Sequence, residues 1–249
     1  MNGEQKRLAV LIDADNSRHS MIGELLEEIA NYGVASVKRI YGDWTDTKLK
    51  GWKASLLEHG IHPMQQFAYT TGKNATDSAM IIDAMDLLYT KSFDGFCIVS
   101  SDSDFTRLAS RIREAGLMVY GFGERKTPKA FTAACDKFVY TENLRAAKVS
   151  EENAQSRREE QVRKDGELLG LLRRAVEDTA DDSGWSYLGL IGQNLMNKSP
   201  DFDPRTYGFR KLGELIESTE EFEIREHDPL SNNYSVYVRP KRKKRSNRR

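Results

Sequence analysis

The chain has 249 residues, 39% of them hydrophobic and 31% charged, which leaves room for one large domain or two small ones under a highly charged surface. No apolar run approaches the roughly 18 residues of a membrane span. Met1–Arg7 leads directly into a strand with no room for a signal peptide, so a cytoplasmic protein is expected.

The formal net charge of zero hides an asymmetry. The last nine residues, Lys241 to Arg249, hold seven Lys or Arg and no acid, and the rest carries 31 basic against 38 acidic residues. An acidic body with a basic tail points to a polyanionic partner for the tail. The only cysteines, Cys97 and Cys135, lie far apart in apolar surroundings. They read as buried free thiols of a reducing compartment.

Leu8 to Ile12 is an unbroken apolar run, read as a strand buried on both faces. It ends in Asp13-Ala14-Asp15-Asn16. Met21 to Tyr32 has helical spacing and stops at Gly33. Val34 to Tyr41 is a second strand and Lys48 to His59 a helix. Ile61 to Tyr69 is a third strand, with Pro63 confined to its start or to a sheet edge. Ala75 to Tyr89 is the most regular helix, with Ala79, Ile82, Met85 and Leu88 as its expected core stripe. Phe96 to Val99 is strand four, followed by Ser100-Ser101-Asp102-Ser103-Asp104. A helix over Phe105 to Ala115, strand five over Leu117 to Phe122, a short helix over Pro128 to Cys135 and a last short strand over Phe138 to Tyr140 complete the first half. This rhythm predicts an α/β fold with a parallel sheet and right-handed crossovers.

From 146 to 164 the composition turns polar, as a linker or a solvated helix. Helices follow over Glu167 to Thr179, Tyr187 to Met196 and Gly208 to Ser218. Phe222 to Arg225 and Tyr234 to Val238 form a hairpin. The expected organisation is an α/β domain over 1–145, a linker over 146–164, a small winged helix-turn-helix domain over 165–239 and a basic tail over 240–249. No repeat relates the halves.

With strand order 3-2-1-4-5, strands one and four adjoin where the order reverses, and open α/β sheets place ligands there. Asp13 and Asp102 then face each other across the crevice, with Asp104 at the start of the next helix. Asp77 reaches the same edge from the first turn of its helix. Four clustered carboxylates repel each other unless a cation sits among them. Hard oxygen ligands with no His or Cys cluster select Mg²⁺ or Mn²⁺ over zinc. Such an ion keeps waters that can be activated for in-line hydrolysis of a phosphodiester. Asn16 is a candidate to orient a carboxylate or contact a phosphate. Ser101 is a candidate to hold Asp102 or a bound water. Lys73 and Arg107 flank the site as candidate phosphate contacts, and Asp83 is expected to face solvent or support the site from behind. Any single Asp here also reads as a helix cap. His19, His59, His62 and His227 are scattered and carry no expected chemistry.

Asp13 with Asn16, Lys73 before Asp77, and the S-x-D-x-D-F run from Ser100 to Phe105 resemble the NYN domain, of the LabA-like branch of the PIN-like nucleases. The resemblance covers roughly residues 6 to 145. It implies a PIN-like Rossmannoid three-layer sheet and metal-dependent RNA cleavage. The segment from about 165 to 239 resembles an OST-HTH (LOTUS) domain, through Leu168 to Ala175, Trp185 to Gly192 and Pro204 to Ile216. In that likeness the last piece is the recognition helix, with Arg205, Arg210 and Lys211 available for RNA phosphate. Lys241, Arg242, Lys243, Lys244 and Arg245 would add salt-sensitive affinity.

The reading is therefore an endoribonuclease with an RNA-binding module, acting on single-stranded or structured RNA with no membrane partner. Homo-oligomerisation is left open. Two alternatives stand: an RNA-binding or scaffold protein whose site has lost turnover, and a HAD-type phosphatase, whose D-x-D motif Asp13-Ala14-Asp15 resembles.

Overall fold

The computed structural model describes residues 5–67, 75–146, 152–227 and 235–241. The chain divides into two compact units, Met1–Arg145 and Ala146–Arg249.

The first unit is built on strands β1 (Arg7–Asp13), β2 (Val34–Gly42), β3 (His62–Gln65), β4 (Gly95–Val99), β5 (Met118–Gly123) and β6 (Lys137–Tyr140). All pair in parallel, in the order β3-β2-β1-β4-β5-β6. The expected order holds, and the last short strand extends it at the β5 edge. Strand β3 is shorter than expected. Pro63, which has no N–H to donate, sits on this outermost strand, where its nitrogen breaks no central ladder.

Alternation along β1 creates two cores. Ala9 and Leu11 face one side with Phe96, Ile98 and Val119, covered by α3 (Ala75–Tyr89), α4 (Thr106–Glu114) and α5 (Lys129–Ala134). Leu8, Val10 and Ile12 face the other side with Cys97 and Val99, covered by α1 (Ile22–Ala30) and α2 (Trp52–His59). A sheet sandwiched between helices explains why its strands read as unbroken apolar runs. The thiols of Cys97 and Cys135 are free and buried in opposite cores, and burial pushes both up, Cys135 to about 12. The short helix α6 (Thr141–Ala146) ends this unit.

Helix α3 has the expected bounds, and of its expected stripe Leu88 is buried and Ala79 and Met85 pack partly buried against the core, but Ile82 does not. Met80, Ala84, Leu87 and Leu88 are buried, and Ile82 is 63% exposed. The departure has a local cause on β2. Asp83 faces the sheet, where it pairs with the Arg39 guanidinium and accepts the hydroxyl of Tyr41. The expectation of a solvent-facing Asp83 is corrected, since its side chain is mostly covered.

In the second unit, residues 152–164 form helix α7 (Glu152–Lys164), whose Val162 is buried in that unit's core. Helices α8 (Gly166–Thr179), α9 (Leu188–Lys198) and α10 (Leu212–Ser218) follow. Asp165 caps α8 by accepting the N–H groups of Glu167 and Leu168. The hairpin of β8 (Phe222–His227) and β9 (Ser235–Pro240) gains a third strand, β7 (Ser186–Tyr187), in the order β7-β9-β8, antiparallel throughout. Among the described residues no helix is long and apolar enough to cross a membrane.

Candidate metal centre

Strands β1 and β4 are neighbours at the point where the strand order reverses. Asp13 is the last residue of β1 and is 0% exposed. A buried carboxylate needs donors, and four converge on it. The N–H groups of Asp15 and Asn16 donate to Oδ1 at 3.0 and 3.3 Å. The Asn16 amide and the Ser100 hydroxyl donate to Oδ2, each at 2.7 Å. Burial raises the Asp13 pKa, and the bonds from Ser100 and Asn16 oppose that rise.

Ser100 is the hinge of the arrangement. Its N–H donates to Phe122 O at 2.9 Å, tying it to β5. Gly123 allows this approach, because a Cβ there would lie 2.6 Å from Ser100 O. The Ser100 hydroxyl also accepts the Asp102 N–H at 3.1 Å. Asp102 in turn accepts the Asp104 N–H at 2.9 Å and caps the turn Ser103–Phe105, whose Phe105 is buried in the core. The run is thus set residue by residue. Ser100 bonds Asp13, Asp102 caps the turn, Asp104 carries a second acid, and Phe105 anchors the loop.

Carboxylate oxygens of Asp77, Asp102 and Asp104 lie within 4.8 Å of one another. The Asp77 carboxyl is pushed up to about 6, first by burial and then by the charges of Asp13, Asp102, Asp104 and Asp15. Of the four expected ligands, Asp77, Asp102 and Asp104 have carboxylate oxygens in mutual reach, and Asp13 is a charge neighbour of Asp77.

Other expected positions divide as follows. Asn16 donates to Asp13, and so holds a carboxylate as anticipated. The Ser101 hydroxyl instead accepts the Glu124 N–H at 2.8 Å, and Ser100 takes the role expected of Ser101. Arg107 is exposed on the first turn of α4. Lys73 lies outside the described residues. In the second unit, Arg205 is forked onto Asp203, with its Nε at 3.1 and 3.0 Å from the two carboxylate oxygens. It is thus committed to a neighbour rather than held ready for phosphate. Arg210 and Lys211 are exposed just before α10, their N–H groups donating to Glu214 at 3.1 and 3.3 Å. Lys241 is exposed, and Arg242, Lys243, Lys244 and Arg245 lie outside the described residues.

Strand parity could have found Ser100. Leu11 pairs with Ile98 across β1 and β4, so the next inward positions are Asp13 and Ser100. The burial and four donors of Asp13 also weigh against the phosphatase alternative, which needs that carboxylate as an accessible nucleophile.

Three oxygen-donor carboxylates, with Asp77 raised by burial and by its charged neighbours, fit a hard divalent cation. Among the described residues no other group of His, Cys, Asp or Glu has this spacing.

Comparison with known proteins adds sequence evidence. The NYN domain profile matches residues 7–144, and the OST-HTH/LOTUS domain profile matches residues 163–233. No curated protein matches the chain. Among solved structures, a protein of unknown function from Vibrio parahaemolyticus is 20% identical, covering 56% of this chain and 96% of its own, with a TM-score of 0.47. An uncharacterized protein from Nitrosomonas europaea is 36% identical over 30% of this chain and 73% of its own, with a TM-score of 0.28.

Proposed function

This chain belongs to the NYN domain family and carries an OST-HTH/LOTUS domain, and from that premise we propose that it is a divalent-metal-dependent endoribonuclease whose second unit holds RNA. The observation that carries the reading is the convergence of Asp77, Asp102 and Asp104, from two separate segments, at the switch point of a nuclease-type sheet.

Asp77, Asp102 and Asp104 would hold Mg²⁺ or Mn²⁺. When bound, such an ion supplies a Lewis acid that activates water and offsets charge on the phosphodiester. The remaining work falls to the chain's own side chains. Asp13 acts through others: it fixes Asn16 and Ser100, and Ser100 fixes the backbone of Asp102. A preorganised carboxylate set does not have to reorganise when substrate arrives. Arg107, exposed on the first turn of α4, would receive a substrate phosphate. Water is the nucleophile, and one P–O ester bond breaks to leave a phosphate and a hydroxyl end. No covalent enzyme intermediate is required. Arg210, Lys211 and the basic tail add phosphate contacts that are independent of sequence.

The test is cleavage of end-labelled single-stranded RNA in Mn²⁺, Mg²⁺ or EDTA by wild type and Asp102→Asn. Cutting that needs metal and vanishes in the variant supports the reading. RNA bound but never cut would make the protein a binder with a nuclease-like fold.

A further inference from the structure

The solvent side of the β7-β9-β8 sheet carries a row of aromatic and arginine side chains that the nuclease reading does not use. Alternation separates its two faces. Ser186 and Val238, which pair with each other, are buried, and Val238 belongs to the core of the second unit. Their neighbours Tyr187 and Tyr237 pair in register, and Arg225 pairs with Tyr237 from the other side. Residues one step along a strand point to opposite faces, so Tyr187, Tyr237 and Arg225 form one row away from the core.

The row is built for flat partners. Tyr187 is 42% exposed, and its ring centroid lies 5.9 Å from that of Tyr237. A Cβ on Gly189 would come within 2.6 Å of the Tyr187 ring, so the absence of one lets the ring lie close to the start of α9. Beside the row, the Arg239 guanidinium sits 4.6 Å from the Trp185 ring centroid and pairs with Glu223. Trp185, Tyr237 and Arg225 line a shared open cleft with Asp181 and Ser183. The exposed Asp181 carboxylate accepts the N–H groups of Ser183 and Trp185 and the Ser183 hydroxyl. Arg225 forms no ion pair among the described residues. From β9 the sequence runs straight into Lys241–Arg249, seven of whose nine residues are basic.

We infer that this sheet face is a stacking platform for unpaired nucleobases, with Tyr187 and Tyr237 taking the bases and Arg225 the adjoining phosphate. An exposed ring next to a partly exposed one, tilted 53° to it, with cations alongside, matches single-stranded nucleic acid, because every base has a face to stack and every linkage a charge to meet. A helix inserted in a groove would read duplex instead. The inference rests on the reading that RNA is the substrate. It deepens that reading by assigning base contact to the sheet, and leaves Arg210 and Lys211 with phosphate contact only.

The test uses the full-length chain with Asp102→Asn, in EDTA, so that binding is measured without cleavage. Fluorescence anisotropy compares an oligouridylate with an abasic oligonucleotide of equal length at one ionic strength. The platform predicts that the abasic strand binds more weakly by roughly tenfold or more. Tyr187→Ala and Tyr237→Ala should each weaken oligouridylate binding roughly five- to 100-fold without changing abasic binding, and Tyr237→Phe should restore it. Equal affinity for the two strands overturns the proposal and needs no variant. Folded Tyr variants that bind like the parent overturn it as well. So does light scattering in which the parent is a dimer and Tyr187→Ala a monomer, since a second copy would then cover the face. Base-dependent binding without any wild-type cleavage would sink the nuclease reading and leave the platform standing. Cleavage with base-independent binding would do the reverse.

Discussion

Replacing Asp77 by Asn should make the metal-free protein more stable at neutral pH. Burial and the charges of Asp13, Asp102, Asp104 and Asp15 raise the Asp77 carboxyl from 3.8 to about 6. A raised acid binds more protons in the folded than in the unfolded state between those values. Its penalty on folding is therefore absent below the unfolded pKa, grows as pH climbs towards about 6, and is complete above that. At about 1.4 kcal/mol per pKa unit the full shift corresponds to roughly 3 kcal/mol. Asp77 is only partly buried, so solvent screening reduces this to about 1 kcal/mol. For a unit of this size that is about 3 °C in Tm. Scanning calorimetry in EDTA at about pH 7.5 should show the first unit's transition raised by that amount in Asp77→Asn. The gap should close near pH 4, where the wild-type acid is itself protonated. Added Mn²⁺ should then raise wild type and leave the variant nearly unmoved, because the ion relieves the repulsion the substitution has removed. An Asp77→Asn protein that is less stable in EDTA, or a gap that does not depend on pH, would refute this electrostatic account.

Three further outcomes follow from the same contacts. Ser100→Ala removes a donor to the buried Asp13 and the acceptor of the Asp102 N–H, and should cost about 1.5–3 kcal/mol in urea unfolding. Ser101→Ala should cost only about 1 kcal/mol and retain more cleavage. Arg205→Ala strands the buried Asp203 and should lower the second unit's calorimetric transition by about 2 kcal/mol, while RNA affinity of the folded protein stays near wild type. Truncation after Pro240 should weaken RNA binding chiefly at low salt and flatten the dependence of log K on log salt; unchanged binding at low salt would exclude the tail as a contact.

Much of the first unit is legible because a sheet covered on both faces leaves a plain record. Leu8–Ile12 and Phe96–Val99 are apolar throughout, and the acids that end them fall at one edge by topology alone. Which acids come within mutual reach is not legible. Asp13 and Asp102 occupy similar places in the sequence, yet Asp13 is buried under four donors and Asp102 faces Asp77 and Asp104. Only the depth of each strand end separates them. One position of helix α3 departs from its expected face for a related reason. Ile82 fits an apolar stripe by spacing, but Arg39 and Tyr41 on β2 draw Asp83 towards the sheet and turn Ile82 outward. In the second unit, counting cations counted Arg205, and nothing in the sequence signals that Asp203 has claimed it. The third strand, Ser186–Tyr187, is two residues long, too short to show a period.

The most direct test of the three-carboxylate site is Mn²⁺ binding to the intact chain, followed by electron paramagnetic resonance without any RNA. Wild type should hold an ion that Asp102→Asn and Asp104→Asn each weaken by about tenfold or more, while Ser101→Ala leaves it unchanged. Undiminished Mn²⁺ binding by the Asp77→Asn/Asp102→Asn double variant would contradict the assignment of these carboxylates as the metal centre.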